Sequence, residues 1–439
     1  MNQFQSWIET QGIITYGVQV KHTDYAGYGL FSKETIDATE PKTVVSIPSD
    51  LILTSSKALQ VHTEFKDAVF EFYGQQYQNS NQLEETILSP ENEHHVLCLF
   101  LVYCQYINQD TRWKPYFDIL PTLSFFQDHH VLFNPACVQG TSLENATRAK
   151  LTSLKTQVQA WNTSNIHWLS RVQLDMYLWA DCIFWSRVVG IGGDMSGLSK
   201  HQMAMIPYFD FANHSDQHAN IRWQLVSTGL ELVTSEEHIP QDQELFLSYG
   251  SKSNQELLFL HGFCVPDNSE SSVITLPLLP FLDPAHDQYK IEWLIQMGVK
   301  PILKLSAIDQ HNFAGWDEAS VAVMYLVVLD QEDIEFKQGL LVRDTPILSL
   351  SDLKTTVESL ELYPVIQLRA IVLLLDALEY QYTQNKQYQM TDESPVSKQA
   401  SIYRHEEQVL LNQSMNALTV LRDQLMKNTT VISFLKANA

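Results

Sequence analysis

The apolar positions change their period several times along the chain. Phe4, Trp7 and Ile8 recur at helical spacing and predict a short amphipathic helix ending at Gly12. From Ile13 to Leu53 short β-rich runs follow, Val18-Gln-Val20, Gly29-Leu-Phe31 and Thr43-Val-Val-Ser-Ile47, separated by Gly and Pro. Between about Ser55 and Val188 the period is helical, with a polar, mobile patch expected at Gln75 to Glu85 and an apolar run at Val96 to Tyr106. Strand texture returns at Ile221 to Val233 and at Glu244 to Ser248, so a helical block interrupts a mostly β region. After Pro266 the pattern reads as helical to the end, with Leu411, Ser414, Leu418, Leu421 and Leu425 on one face and a loop expected at Gln384 to Gln399.

Composition narrows what this architecture can serve. A chain of 439 residues exceeds the size at which one core keeps growing, so two domains are expected. The 51 acids against 28 bases give a formal charge of -23, which argues against nucleic acid as a partner, because phosphate backbones need clustered Lys and Arg. A basic protein partner suits that field, and solubility alone explains it equally well. Cys98, Cys104, Cys137, Cys182 and Cys264 form no CxxC pair, so neither a zinc knuckle nor a disulfide framework is encoded and a reducing compartment is expected. The first residues lack a basic start and apolar run, and stretches such as Ala370 to Leu375 are far below the roughly 20 residues that span a bilayer. The expectation is a soluble cytoplasmic protein, with a nuclear location also open and nothing requiring more than a monomer.

Chemistry concentrates in two segments, Met205-Ile-Pro-Tyr-Phe-Asp-Phe-Ala-Asn-His-Ser215 and Gln243-Glu-Leu-Phe-Leu-Ser-Tyr-Gly-Ser-Lys-Ser-Asn-Gln-Glu-Leu-Leu258, the latter running on to His261-Gly-Phe263. Gly27-Tyr-Gly-Leu-Phe31 near the start puts GxG before a strand, which permits either close backbone approach to a ligand or a plain turn. Arg187, ending Trp185-Ser-Arg187, suits a carboxylate through its forked guanidinium and equally suits a structural salt bridge. Asp210, His214 and His218 are spaced by four, yet Pro207 and the turn-prone Asn213-His-Ser-Asp216 argue against one helix carrying metal ligands. Tyr249, before Gly250, could park its hydroxyl on a carbonyl as buried tyrosines do, or act in chemistry.

Taken together these segments resemble the signature segments of SET-domain methyltransferases, in the subfamily of the Rubisco large-subunit lysine methyltransferase and its actin-histidine and ribosomal-protein relatives. The resemblance implies an α+β chain. Its SET β fold would have a threaded C-terminal segment, core approximately 16–250 within residues 1–270, and a helical insert at approximately 55–188. An all-α substrate-binding domain would follow at 271–439, where Leu368 to Tyr380 and Tyr403 to Leu411 resemble the family. It implies S-adenosylmethionine as cofactor, no metal, and a pocket lined by Ala26, Gly27, Tyr28, Arg187, Asp210, Phe211, Ala212, Asn213, His214, His261, Gly262 and Phe263. Tyr249 aligns with the catalytic tyrosine, and Tyr208 and Phe209 fit either the walls of a substrate channel or the core.

Methyl transfer from a sulfonium is a direct displacement by a neutral nucleophile, so positioning supplies most of the catalysis. The implied activity is methylation of a lysine ε-amine in a protein, a basic target such as a ribosomal protein or translation factor being suited by the charge. Histidine is an alternative acceptor, and a non-catalytic SET-like scaffold an alternative of another class. The cysteine clusters that flank many histone-type SET domains are missing, which points to a non-histone substrate.

Overall fold

The computed structural model describes residues 2–23, 27–77, 82–193, 198–268, 272–283, 285–330, 332–336, 339–388 and 393–438. Ala26, and residues 78–81 of the expected polar patch, lie outside the described residues. Two compact units emerge, one of residues 1–133 and 149–252, the other of residues 134–148 and 253–439.

The first unit is built on small sheets. A four-stranded antiparallel sheet runs in the order Ile14–Thr15, Thr43–Pro48, Gly229–Thr234, Ile221–Val226, pairing strands far apart in sequence. Its register sets Leu230 against Ile47 and Leu232 against Val45, all essentially without solvent exposure, so the alternating apolar positions fall on one face. Val18–Thr23 and Gly27–Ser32 form a hairpin, and Leu53–Thr54, Leu198–Met205 and Val189–Gly193 form a third sheet.

Between Thr54 and Val189 the chain is helical, including Ser55–Val61, Thr63–Gln76, Pro90–Val102 and Leu174–Arg187. Trp161, Trp168, Trp179 and Tyr177 are buried here, each large ring contributing roughly 1.5–3 kcal/mol or more by the removal of apolar surface from water. Asp181 is buried within this block and takes His94 Nε2 at 2.8 Å on one oxygen and Lys150 Nζ at 2.9 Å on the other. With Cys98, the His94 and Asp181 ligand atoms lie within 4.8 Å of one another, a spacing a metal could use. The Lys150 ammonium already supplies the counter-charge of Asp181, so the cluster is explained as a buried ion pair.

In the second unit the helices Asn254–Leu260, Gln288–Gln296, Glu318–Val328, Leu350–Glu358, Tyr363–Gln387, Pro395–Leu425 and Thr429–Ala437 dominate. The expectation of helix throughout this region needs correction: Val273–Pro277 pairs with Ile302–Ser306, and Ile334–Phe336, Leu340–Val342 and Thr345–Ile347 form a small meander. These strands are three to five residues long, too short for a period of two to stand out among helices. Leu411, Ser414 and Leu418 are fully buried, as their shared face predicts. The helix Tyr363–Gln387 extends further than expected, which shortens the loop before Pro395.

A polar network holds residues 134–148 within this unit. Glu407, fully buried, accepts hydrogen bonds from the Ser142 amide at 3.1 Å and from Gln381 Nε2 at 2.7 Å. Tyr403 and Gln255 close the network through the Ser142 hydroxyl at 2.6 and 2.9 Å. Arg404 donates to the Gln139 carbonyl at 2.7 Å and to the Asn385 carbonyl at 2.8 Å. Burial raises the Glu407 pKa above the ordinary glutamate range although its donors oppose the shift.

A carboxyl that binds its proton more tightly when folded destabilises the fold once pH rises above the unfolded glutamate value. Stability should therefore decline above that value, and Glu407→Gln should flatten the decline. Glu407→Ala, which strands several buried donors, should cost about 3–5 kcal/mol, and urea unfolding of the three proteins across pH checks both outcomes.

Candidate functional site

In the first unit the two chemistry-bearing segments run past each other. His214 bridges to Leu247 and Ala219 to Phe246 in parallel sense, and the Leu247 amide donates to the Asn213 carbonyl at 2.9 Å. Asn220, 3% exposed, donates through its side chain to the Glu244 carbonyl at 2.9 Å and accepts from the Phe246 amide at 2.9 Å. The threading arises because neither segment forms a hairpin with itself, and each satisfies its backbone on the other.

Residues 209–211 form one turn of 3-10 helix entered from Tyr208, whose φ of 74° is left-handed and rare for a bulky side chain. The Tyr208 ring is buried beside Phe4 and Phe211, at centroid distances of 6.4 and 5.9 Å, so packing maintains the strained backbone. Phe209 is buried and meets Trp223 edge to face. Asp210, His214 and His218 do not share a helix, since the turn ends at Phe211. The Asp210 side chain, 2% exposed, is instead paired with Arg187, whose Nη1 donates to Oδ2 at 2.9 Å and to the Asp210 carbonyl at 3.1 Å. Burial is the largest single influence on the Arg187 pKa and lowers it, but the Asp210 charge and hydrogen bond together with Tyr116 and Tyr249 raise the value overall. Arg187 Nε is buried without a hydrogen-bond partner among the described residues.

Asn213 donates through Nδ2 to Glu244 Oε1 at 2.8 Å. Both stand against the hairpin at Gly29, where a methyl group would lie 2.5 Å from Glu244 Oε1 and 3.1 Å from Asn213 Nδ2. That crowding accounts for the second glycine of GxG. Tyr28 turns its ring edge-on to Phe211 at 6.0 Å, which puts Gly27 to Gly29 beside the threaded segment.

Tyr249, partly buried, donates its hydroxyl to the Ala212 carbonyl at 2.9 Å. Its amide donates to His214 Nδ1 at 3.1 Å and the two rings stack at 4.9 Å, so this imidazole nitrogen is an acceptor and carries no proton. Burial lowers the His214 pKa, in agreement with a neutral ring. Burial pushes the Tyr249 hydroxyl up to about 12, while Arg187 and Asp210 pull it in opposite directions.

Gly27, Tyr28, Arg187, Asp210 to His214 and Tyr249 thus belong to the first unit. His261, Gly262 and Phe263 belong to the second, where they close the helix Asn254–Leu260: Gly262, with φ of 81°, donates to the Leu257 carbonyl at 3.0 Å. Three participants escaped the residue-by-residue reading. Glu244 and Asn220 lie within or beside the quoted segments, and their polar types amid apolar neighbours were a usable signal. Tyr116, whose hydroxyl donates to Asp210 Oδ2 at 2.7 Å, comes from the helical block and carries no sequence signal.

No family model matches the chain. Among curated proteins it is 27% identical over 206 residues to the ribosomal lysine N-methyltransferase set10 of Schizosaccharomyces pombe, covering 45% of this chain and 36% of that protein. It is 23% identical to human SET domain-containing protein 4 over 70% of this chain and 67% of that one. It is also 23% identical to the actin-histidine N-methyltransferase of Drosophila melanogaster over 62% and 50%. The chain therefore spans about a third to two thirds of the length of these relatives. Among solved structures, Rubisco LSMT bound to AdoMet matches with a TM-score of 0.68 at 17% identity, covering 97% of this chain and 92% of that one. The SET domain of LSMT bound to lysine and AdoHcy matches equally well, at 18% identity. The fold is the SET fold with its helical insert and following helical region.

The phenolate absorbance that disappears in Tyr249→Phe should titrate near pH 12 rather than near the ordinary tyrosine value of 10. A difference titration of the two proteins in the near ultraviolet measures it, and a midpoint near 10 would contradict the burial of the hydroxyl.

Proposed function

We propose, from its membership of the SET-domain protein methyltransferases, that this chain transfers a methyl group from S-adenosylmethionine to the ε-amine of a lysine in a non-histone protein. The observation that carries the reading is the Tyr249 hydroxyl, set on the Ala212 carbonyl beside the Asn213–Glu244 pair.

The residues present fit the cofactor. Gly29 lets the hairpin backbone stand against Glu244 and Asn213 where no side chain would fit, and Arg187 Nε is a buried donor without a partner among the described residues. In this reading Ala26, Gly27 and Tyr28, Arg187 and the run Asp210 to His214 hold S-adenosylmethionine, which supplies an activated methyl on sulfur. The chain's own residues do the rest. The Ala212 carbonyl fixes the direction of the Tyr249 hydroxyl, whose oxygen dipole is proposed to act on a polarised methyl or on the acceptor amine. With a pKa near 12 the hydroxyl is neutral across the working range, so its part is orientation and not proton removal. Burial in an apolar channel, with Tyr208 and Phe209 as candidate walls, would lower the pKa of the incoming lysine so that it arrives neutral.

Residues 271–439, with the helices Tyr363–Gln387 and Pro395–Leu425, are assigned to protein-substrate binding. The charge of -23 and the ribosomal relative both favour a basic target, a ribosomal protein or translation factor. Similarity to an actin-histidine N-methyltransferase over 62% of this chain supports a second reading, in which the acceptor is a histidine.

Incubation with methyl-tritiated S-adenosylmethionine and a cell extract, followed by hydrolysis, should give labelled methyl-lysine. Methyl-histidine would move the second reading to the front. Tyr249→Phe should lower turnover about 10²–10³-fold while cofactor binding persists, and a mutant as active as the parent would sink the assignment of Tyr249. With a lysine acceptor the rate should still be climbing up to about pH 9, whereas a histidine acceptor should level off near neutrality.

A further inference from the structure

We propose that Tyr116 is a positioning residue for Tyr249, acting through Asp210; the inference rests on the reading of Tyr249 just given. Tyr116 lies in the short helix Lys114–Phe117 of the helical block, 94 residues before Asp210, and has no solvent exposure. Its hydroxyl donates to Asp210 Oδ2 at 2.7 Å, the oxygen that also receives Arg187 Nη1 at 2.9 Å. The same Nη1 holds the Asp210 carbonyl at 3.1 Å. One carboxylate oxygen and one peptide oxygen of Asp210 are thereby fixed by donors from two separate helices. Oδ1 has no hydrogen-bond partner among the described residues, so Oδ2 carries the attachment of this side chain.

Two residues on, the Ala212 carbonyl receives the Tyr249 hydroxyl, and within the intervening turn the Phe211 and Ala212 amides donate to the Tyr208 and Phe209 carbonyls, at 3.4 and 3.1 Å. A rotation at Asp210 is transmitted through this turn to the direction of the Ala212 carbonyl, and so to the Tyr249 hydroxyl. Arg187 alone grips Asp210 from one side. The Tyr116 hydroxyl adds a second direction without a second positive charge, which a site already balanced by one cation can accommodate. Removing the hydroxyl leaves the ring and its contact with Phe117 in place, so Tyr116→Phe isolates the hydrogen bond.

The test uses the full chain and its methyl-acceptor protein, with kcat, KM, melting temperature and the dissociation constant of S-adenosylhomocysteine measured for Tyr116→Phe, Tyr249→Phe and the double variant. Tyr116→Phe should lower kcat about 10–100-fold and leave cofactor affinity within about twofold, and in the Tyr249→Phe background it should have little further effect. An unchanged kcat would overturn the proposal. So would losses of kcat, cofactor affinity and melting temperature in parallel, or an equal loss in both backgrounds. Should Tyr116→Phe not fold, 3-fluorotyrosine placed at position 116, which keeps the ring and alters only the hydroxyl as a donor, is held to the same split between kcat and cofactor affinity. A fully active Tyr249→Phe defeats the functional reading itself, whereas an inactive Tyr249→Phe beside a normal Tyr116→Phe defeats only the positioning role.

Discussion

The lacing of residues 213–220 onto residues 244–249 is the constraint on which the candidate site depends. Main-chain groups of two crossing segments satisfy each other there, and the Asn220 amide serves as an extra peptide unit between the Glu244 carbonyl and the Phe246 amide. A buried backbone must be paired, so the crossing has one register. A slip of one residue would turn the alternating side chains to the opposite face and separate Asn213 from Glu244 and His214 from Tyr249. The placement of the polar groups follows from this threading more than from any single side-chain contact.

Two buried carboxylates of the first unit each face a basic side chain. Arg187 faces Asp210, and Lys150 with His94 faces Asp181. The first pairing leaves Tyr249 under opposed fields, so burial is the larger influence on its hydroxyl. A reaction that turns an amine and a sulfonium into a methylammonium and a thioether moves positive charge without creating net charge. A locally balanced site with aimed carbonyl and hydroxyl dipoles suits that change better than a bare carboxylate would.

Much of the fold could be read from the chain because its elements are long or strongly patterned. The amphipathic start appears as the helix Asn2–Thr10, and Val18, Gly29 and Thr43 lie in strands as expected. The short strands after Pro266 were hidden by their length. The threaded motif was visible because Asn213, His214, Tyr249 and Gly250 are unusual types in an apolar setting. Tyr116 was not, since a tyrosine amid aromatics looks like core until its hydroxyl is seen on Asp210. Arg187 illustrates a different limit: the fork suits any carboxylate, and the sequence could not say that Asp210, 23 residues on, supplies one.

The strap 134–148 has a consequence in time. Ser142 donates to Glu407, a residue 265 positions later in the chain. At translation rates of about 5–20 residues per second, the strap waits on the order of tens of seconds before that carboxylate leaves the ribosome. During this interval the residues on either side of the strap can already begin to fold. Gly140 to Ser142 must remain accessible until the last long helix arrives, so completion of the second unit is scheduled by synthesis of its C-terminal end.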